Sequence, residues 1–153
     1  MADIYELSVA LDLCADVSDE KIAELRWHLG LGPRPVTLTI VRAFPVVVEN
    51  DEGEPVIEDD PVPLLGCHDA ASKVGGALTA ALLSRAGGRA LTARQEIHPD
   101  DFDRVGELLV WLAGRAVDHH ERPGGAVNVG WIRFHEEDVP VPLTVRDGGV
   151  AWP

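Results

Sequence analysis

Sliding the chain onto itself by 84 residues brings one strand–helix unit onto another without a gap. Leu7 meets Leu91, Ser8 meets Thr92, Asp12 meets Glu96, Leu13 meets Ile97, Leu25 meets Leu109, Trp27 meets Trp111 and Gly30 meets Gly114. The chain has four tryptophans, so the coincidence of two of them weighs against a chance match. A further match follows at an offset of 79, where Pro61-Val62-Pro63-Leu64 falls on Pro140-Val141-Pro142-Leu143. The pattern predicts two β-α-β-β copies, about 5–66 and 89–146, within a single domain spanning 1–153. Neither copy has enough core to stand alone. The expected fold is therefore α+β: antiparallel sheet or sheets with the helices packed on one side, and a pseudo-twofold axis relating the copies.

Local patterning fills in the units. Leu7, Val9, Leu11 and Leu13 alternate with Glu6, Ser8, Ala10 and Asp12, as in a half-buried strand over 4–13. Ser18 caps a helix with Asp19 and Glu20 in its first turn, and Ile22, Leu25 and Leu29 form its apolar stripe. Gly30, Gly32, Pro33 and Pro35 end it. Strand-like runs follow at 36–48 and 56–65, broken by Pro45, Pro61 and Pro63. Between the copies, Val74, Leu78, Ala81 and Leu82 share a helical face, which predicts a bridging helix over about 70–86 with Gly75 and Gly76 inside it. The second copy runs as a strand over 89–97, a helix opened by Pro99, Asp100 and Asp101, and strands over 126–134 and 139–146. Val105, Leu108, Leu109, Leu112 and Ala116 are the helix's buried stripe, and Trp131 is expected in the core.

Charge narrows the function. Thirteen basic residues stand against 26 acidic ones, a formal net charge of −13, and the only lysines are Lys21 and Lys73. Such a chain repels phosphate backbones and anionic lipid, so nucleic acid and membrane surfaces are excluded as expected partners. No apolar run approaches the ~18 residues of a membrane span. The start, MADIYELSVALDL, lacks a basic region before its apolar residues. Two cysteines, Cys14 and Cys67, suit free thiols in a reducing compartment. A cytoplasmic location is expected.

Several clusters carry potential chemistry. Cys67-His68-Asp69 contains a nucleophile, a base and an acid, but consecutive side chains diverge. His119-His120-Glu121 and His135-Glu136-Glu137-Asp138 contain cation ligands without the spacing of a zinc or calcium frame. Glu58, Asp59 and Asp60 are the acidic counterpart of Glu136, Glu137 and Asp138 in the first copy. No P-loop, GxGxxG or GxSxG motif occurs. No catalytic residue, metal or cofactor is assigned.

The expected function is a non-catalytic acidic binding protein, self-associating as a homodimer or masking a basic protein. Trp27, Trp111 and the two acidic turns are its expected contacts. The alternatives are a small enzyme or ligand-binding protein with a pocket between the copies, and a structural subunit of a larger assembly.

Overall fold

The computed structural model describes residues 3–153. Their elements are β1 (Tyr5–Cys14), α1 (Asp19–His28), β2 (Pro45–Glu49), β3 (Pro55–Asp59), β4 (Thr79–Arg85), β5 (Gly88–Ile97), α2 (Phe102–Ala113), β6 (Val127–Phe134), β7 (Val141–Arg146) and β8 (Gly149–Val150). Six strands form one sheet in the order β4-β5-β1-β6-β7-β8, and β2-β3 form a separate hairpin. Every pairing is antiparallel. The order makes β4 parallel to β1 with β5 between them, and β6 parallel to β5 with β1 between them. Elements β1, α1, β4, β5, α2 and β6 therefore follow the doubled split β-α-β scheme of ferredoxin-like sheets. Residues 29–78 are inserted between α1 and β4, and β7-β8 extend the sheet beyond β6.

The alternation of β1 decides which face is covered. Leu7, Val9, Leu11 and Leu13 are buried, together with Leu91, Ala93 and Ile97 of β5. They form one core with Leu25 of α1, with Leu108, Leu109 and Leu112 of α2, and with Val129, Ile132 and Leu143. Each fully buried leucine contributes about 1.5–3 kcal/mol. Ser18 caps α1 as expected, its side chain accepting from the Lys21 amide. A 3-10 turn, Pro99–Asp101, opens α2, with the His98 side chain accepting from the Asp100 amide. The opposite sheet face is open. There Glu6 accepts from Arg94 and Arg133, and Leu83 and Trp131 are 65% and 48% exposed.

Four sequence expectations are corrected. Residues 70–86 contain no helix: a loop leads into β4, which pairs with β5. Gly75 and Gly76 take φ of +82° and +71°, which no α-helix accommodates. The run 36–48 is strand only from Pro45, and 56–65 only to Asp59. The later halves of the proposed copies are placed differently, because β2-β3 stand apart as a hairpin while β6 and β7 join the main sheet. Trp131 faces solvent, because the pairing of β6 with β7 shifts between Asn128 and Gly130 and reverses the inward parity.

Two glycines let the neighbours of β1 approach it. Gly88 and Gly130 take φ near +150°, and a Cβ on them would overlap the carbonyl oxygens of Leu13 and Ser8 respectively. Gly130→Ala is expected to lower stability by about 3 kcal/mol or more, as a strained backbone contact at the central strand. Gly87→Ala, at φ +82° with open space around it, should cost only about 1 kcal/mol. Urea unfolding of the two variants checks the contrast, and equal losses would contradict it.

Candidate functional site

Helix α2 presents its apolar stripe to the sheet and a second, aromatic edge to a groove. The groove encloses about 540 Å³ between α2, the β8 region and Ile40 of the inserted segment. Phe102, Val110, Trp111 and Trp152 line it, along with the exposed carboxylates of Asp103 and Glu107. Trp152 stacks on Phe102 with ring centroids 4.1 Å apart and planes 6° apart. Gly106 faces Trp152, and a Cβ there would make ordinary contact at 3.4 Å with its Nε1. Arg115 lies 5.8 Å from the centre of the Trp111 ring, so one cation already meets this aromatic surface. The Trp111 indole N–H is buried without an acceptor.

The two tryptophans matched in sequence occupy different surroundings. Trp27 belongs to the core, with the Phe44 ring of the inserted segment edge-on at 6.3 Å. Trp111 is half-buried and lines the groove. The acids Glu58, Asp59, Asp60, Glu136, Glu137 and Asp138 are all exposed. Asp59 also anchors a loop, its carboxylate accepting from the Phe44 amide at 2.7 Å. Among the described residues the two acidic turns do not combine into a cluster of cation ligands. The Cys67-His68-Asp69 run does not assemble a nucleophile and base. His68 Nε2 donates to the Leu29 carbonyl at 2.8 Å, while the Cys67 main chain is gripped by the buried Gln95 side chain.

Two polar clusters escape a reading of the sequence alone. The first is Glu24 and His28 on α1, 1% and 0% exposed. The Glu24 carboxylate accepts from the amides of Thr39, Ile40 and Val41 and from the Thr39 hydroxyl. Lys21 donates in turn to that hydroxyl at 2.7 Å. His28 Nδ1 accepts from the Leu64 amide at 3.4 Å, which leaves the proton on Nε2. That nitrogen lies 3.8 Å from Glu24, too far for a hydrogen bond, and has no other partner. Burial lowers the His28 pKa from 6.5 to about 4 against the opposing pull of Glu24, so the ring is neutral near pH 7. Hence the pair is not a salt bridge at that pH.

The second cluster joins Asp12 at the end of β1 to His119 and His120. Beyond Val9 the edge of β1 no longer pairs with β6, and residues 115–120 cover it. Val117 donates to the Asp12 carbonyl, Cys14 donates to the Arg115 carbonyl, and the Asp12 amide donates to His120 Nε2 at 2.9 Å. His119 Nε2 donates to one Asp12 carboxylate oxygen at 2.9 Å, and Arg85 donates to the other at 2.8 Å. The His119 bond, aided by Arg85, holds the Asp12 carboxyl below the usual carboxylate range. Burial lowers the His120 pKa, and the neighbouring His119 adds to the effect.

Glu24 and His28 make two expectations. Glu24→Ala leaves three amides of the inserted segment without their acceptor. It should cost about 3–5 kcal/mol and speed hydrogen exchange at residues 39–41, measured by mass spectrometry. His28 binds its proton more weakly folded than unfolded, so its contribution is complete above the unfolded pKa of 6.5 and is lost as pH falls toward about 4. The loss across that window is about 3 kcal/mol. His28→Gln keeps an acceptor for the Leu64 amide and should flatten the dependence of unfolding free energy on pH between 6.5 and 4. An unchanged slope would refute the assignment.

Among the described residues no helix is long and apolar enough to cross a membrane. No protein-family model matches the chain, no curated protein matches it, and no solved structure matches it.

Proposed function

We propose that this chain is a non-catalytic binding protein whose α2 groove receives a basic, partly apolar segment of a protein partner. The observation that carries the reading is the pairing of aromatic walls with exposed carboxylates. Phe102, Trp111 and Trp152 offer flat apolar area, while Asp103 and Glu107 supply negative charge in the same groove. Arginine matches both, since its guanidinium stacks on indole and pairs with carboxylate. Tryptophan is enriched among residues that dominate binding energy. The net charge of −13 draws a basic partner toward the surface before contact.

The internal duplication belongs to the same reading, with changed boundaries. We take β1-α1-β4 and β5-α2-β6 as the two copies. The 84-residue offset maps Val9 onto Ala93, and these residues are direct cross-strand partners. In this reading a local twofold axis through that pair relates β1 to β5 and α1 to α2. The α2 groove is then the counterpart of the surface that the inserted segment covers on α1.

A synthetic peptide alternating arginine and leucine tests the groove. Its titration should quench tryptophan fluorescence in a saturable, salt-sensitive manner. Trp111→Ala should weaken binding by about thirty-fold, the scale of a central interface tryptophan. Asp103→Asn with Glu107→Gln should slow association and reduce the salt dependence. Binding indifferent to all three substitutions, or an absence of saturable binding, would remove the groove as the partner site.

A further inference from the structure

We propose that Asp12, His119 and His120 form a binding site for one divalent transition-metal ion of the zinc type. The three residues are brought together by topology, because His119 and His120 lie in the segment that caps the unpaired edge of β1. Their ligand atoms all lie within 4.8 Å of one another. One donor pair is already close, with His119 Nε2 and the Asp12 carboxylate oxygen 2.9 Å apart. The two imidazole rings sit side by side with centroids 3.9 Å apart. An ion with bonds of about 2.0–2.2 Å holds tetrahedral donors roughly 3.3–3.5 Å apart, so the 2.9 Å pair must open slightly while more distant donors close.

The surroundings divide the work. Arg85 occupies the far oxygen of Asp12 and fixes the carboxylate plane, leaving the other oxygen facing His119. Carboxylate ligands are commonly oriented by such an outer hydrogen bond. Arg122 donates to the carbonyls of His119 and Glu121 and so braces the turn that carries both imidazoles. His120 keeps an unprotonated nitrogen aimed at the Asp12 main chain, where the amide now donates to it. Metal binding exchanges that hydrogen bond for a metal–nitrogen bond, and the His119 proton moves from Nε2 to Nδ1 so that Nε2 can ligate beside the Asp12 carboxylate. Two nitrogens and one oxygen suit zinc and its neighbours better than calcium or magnesium, which take oxygen ligands. The exposure of His119 leaves the remaining coordination open to water. This site is independent of the groove and does not rest on the proposed function.

The test is equilibrium dialysis of the full chain against Zn²⁺, with Co²⁺ absorption as the spectroscopic readout. One ion per chain at micromolar concentration is expected, with a Co²⁺ spectrum of nitrogen and oxygen ligation. His119 is exposed and makes no side-chain contact with the core, so His119→Ala should fold normally by circular dichroism. It should weaken binding about ten-fold or more, and Asp12→Asn should weaken it likewise. Failure to take up one ion, or uptake unchanged by both substitutions, overturns the proposal. A thiolate charge-transfer band also overturns it, because the ion would then sit at the exposed Cys67 or at Cys14.

Discussion

The carboxylate of Glu24 is the fixed point on which the inserted segment depends. A two-stranded hairpin is marginal alone, and β2-β3 carry little cover of their own, with Val47 and Ile57 72% and 75% exposed. The segment is held by attachments at its base. Glu24 gathers the amides of residues 39–41, the Phe44 carbonyl accepts from Asp60, and the His28 carbonyl accepts from Leu65. Val41, Phe44 and Leu65 then enter the core. Burying a carboxylate is costly unless donors surround it, and here three amides and a hydroxyl do so. The same anchor places Ile40 against the groove on α2. A polar contact on one helix thereby shapes an apolar surface on the other.

Acidic side chains recur as anchors of irregular chain. Burial alone would raise the pKa of Glu96, but the amides of Ser72, Lys73 and Val74 outweigh it and hold the carboxyl below its usual range. That contact ties down the loop before β4. Asp59 holds Phe44, and Glu6 lies between two arginines on the open sheet face. The net charge of −13 is thus a poor measure of the field a partner meets. Part of it is spent on amides and guanidinium groups inside the molecule. The exposed acids, among them Asp103, Glu107, Glu137 and Asp138, carry the external field.

The regular half of the fold was legible because its patterns were redundant. Strand β1 alternates over its whole length, α1 has a serine cap, and α2 repeats its leucines at helical spacing. Each signal agrees with the others. The stretch around β4 lacked that redundancy. Val74, Leu78 and Leu82 lie on one helical face, yet Leu78, Ala80 and Leu82 also alternate, and a short apolar run fits both periods. The paired positive-φ glycines decide against the helix. Trp131 was misplaced by a bulge, which one-dimensional parity does not record. Glu24 and His28 stand four residues apart on α1, and nothing in their spacing announces that the insertion covers them. His119 and His120 stood out in the sequence, whereas Asp12, more than a hundred residues away, is joined to them only by the incomplete edge of β1.

The unequal fates of Trp27 and Trp111 connect the fold to the groove. Residues 29–78 follow α1, and part of that length folds back over the helix, so Phe44 closes on Trp27. Residues 114–126 follow α2 and serve another purpose, covering the edge of β1 that β6 leaves open. Their contact with Trp111 is the Arg115 guanidinium, 5.8 Å from the ring centre. Trp152 and Ile40 of the insertion line the groove beside it and leave a gap between them. The groove follows from the way two connections divide their length: one is long enough to bury its helix, while the other is committed to the sheet. An apolar side chain that fills this gap completes around Trp111 the kind of enclosure that Phe44 gives Trp27, and a cationic end on the same segment meets Asp103 and Glu107. The proposed recognition surface is thus the place where the second helix lacks the cover given to the first.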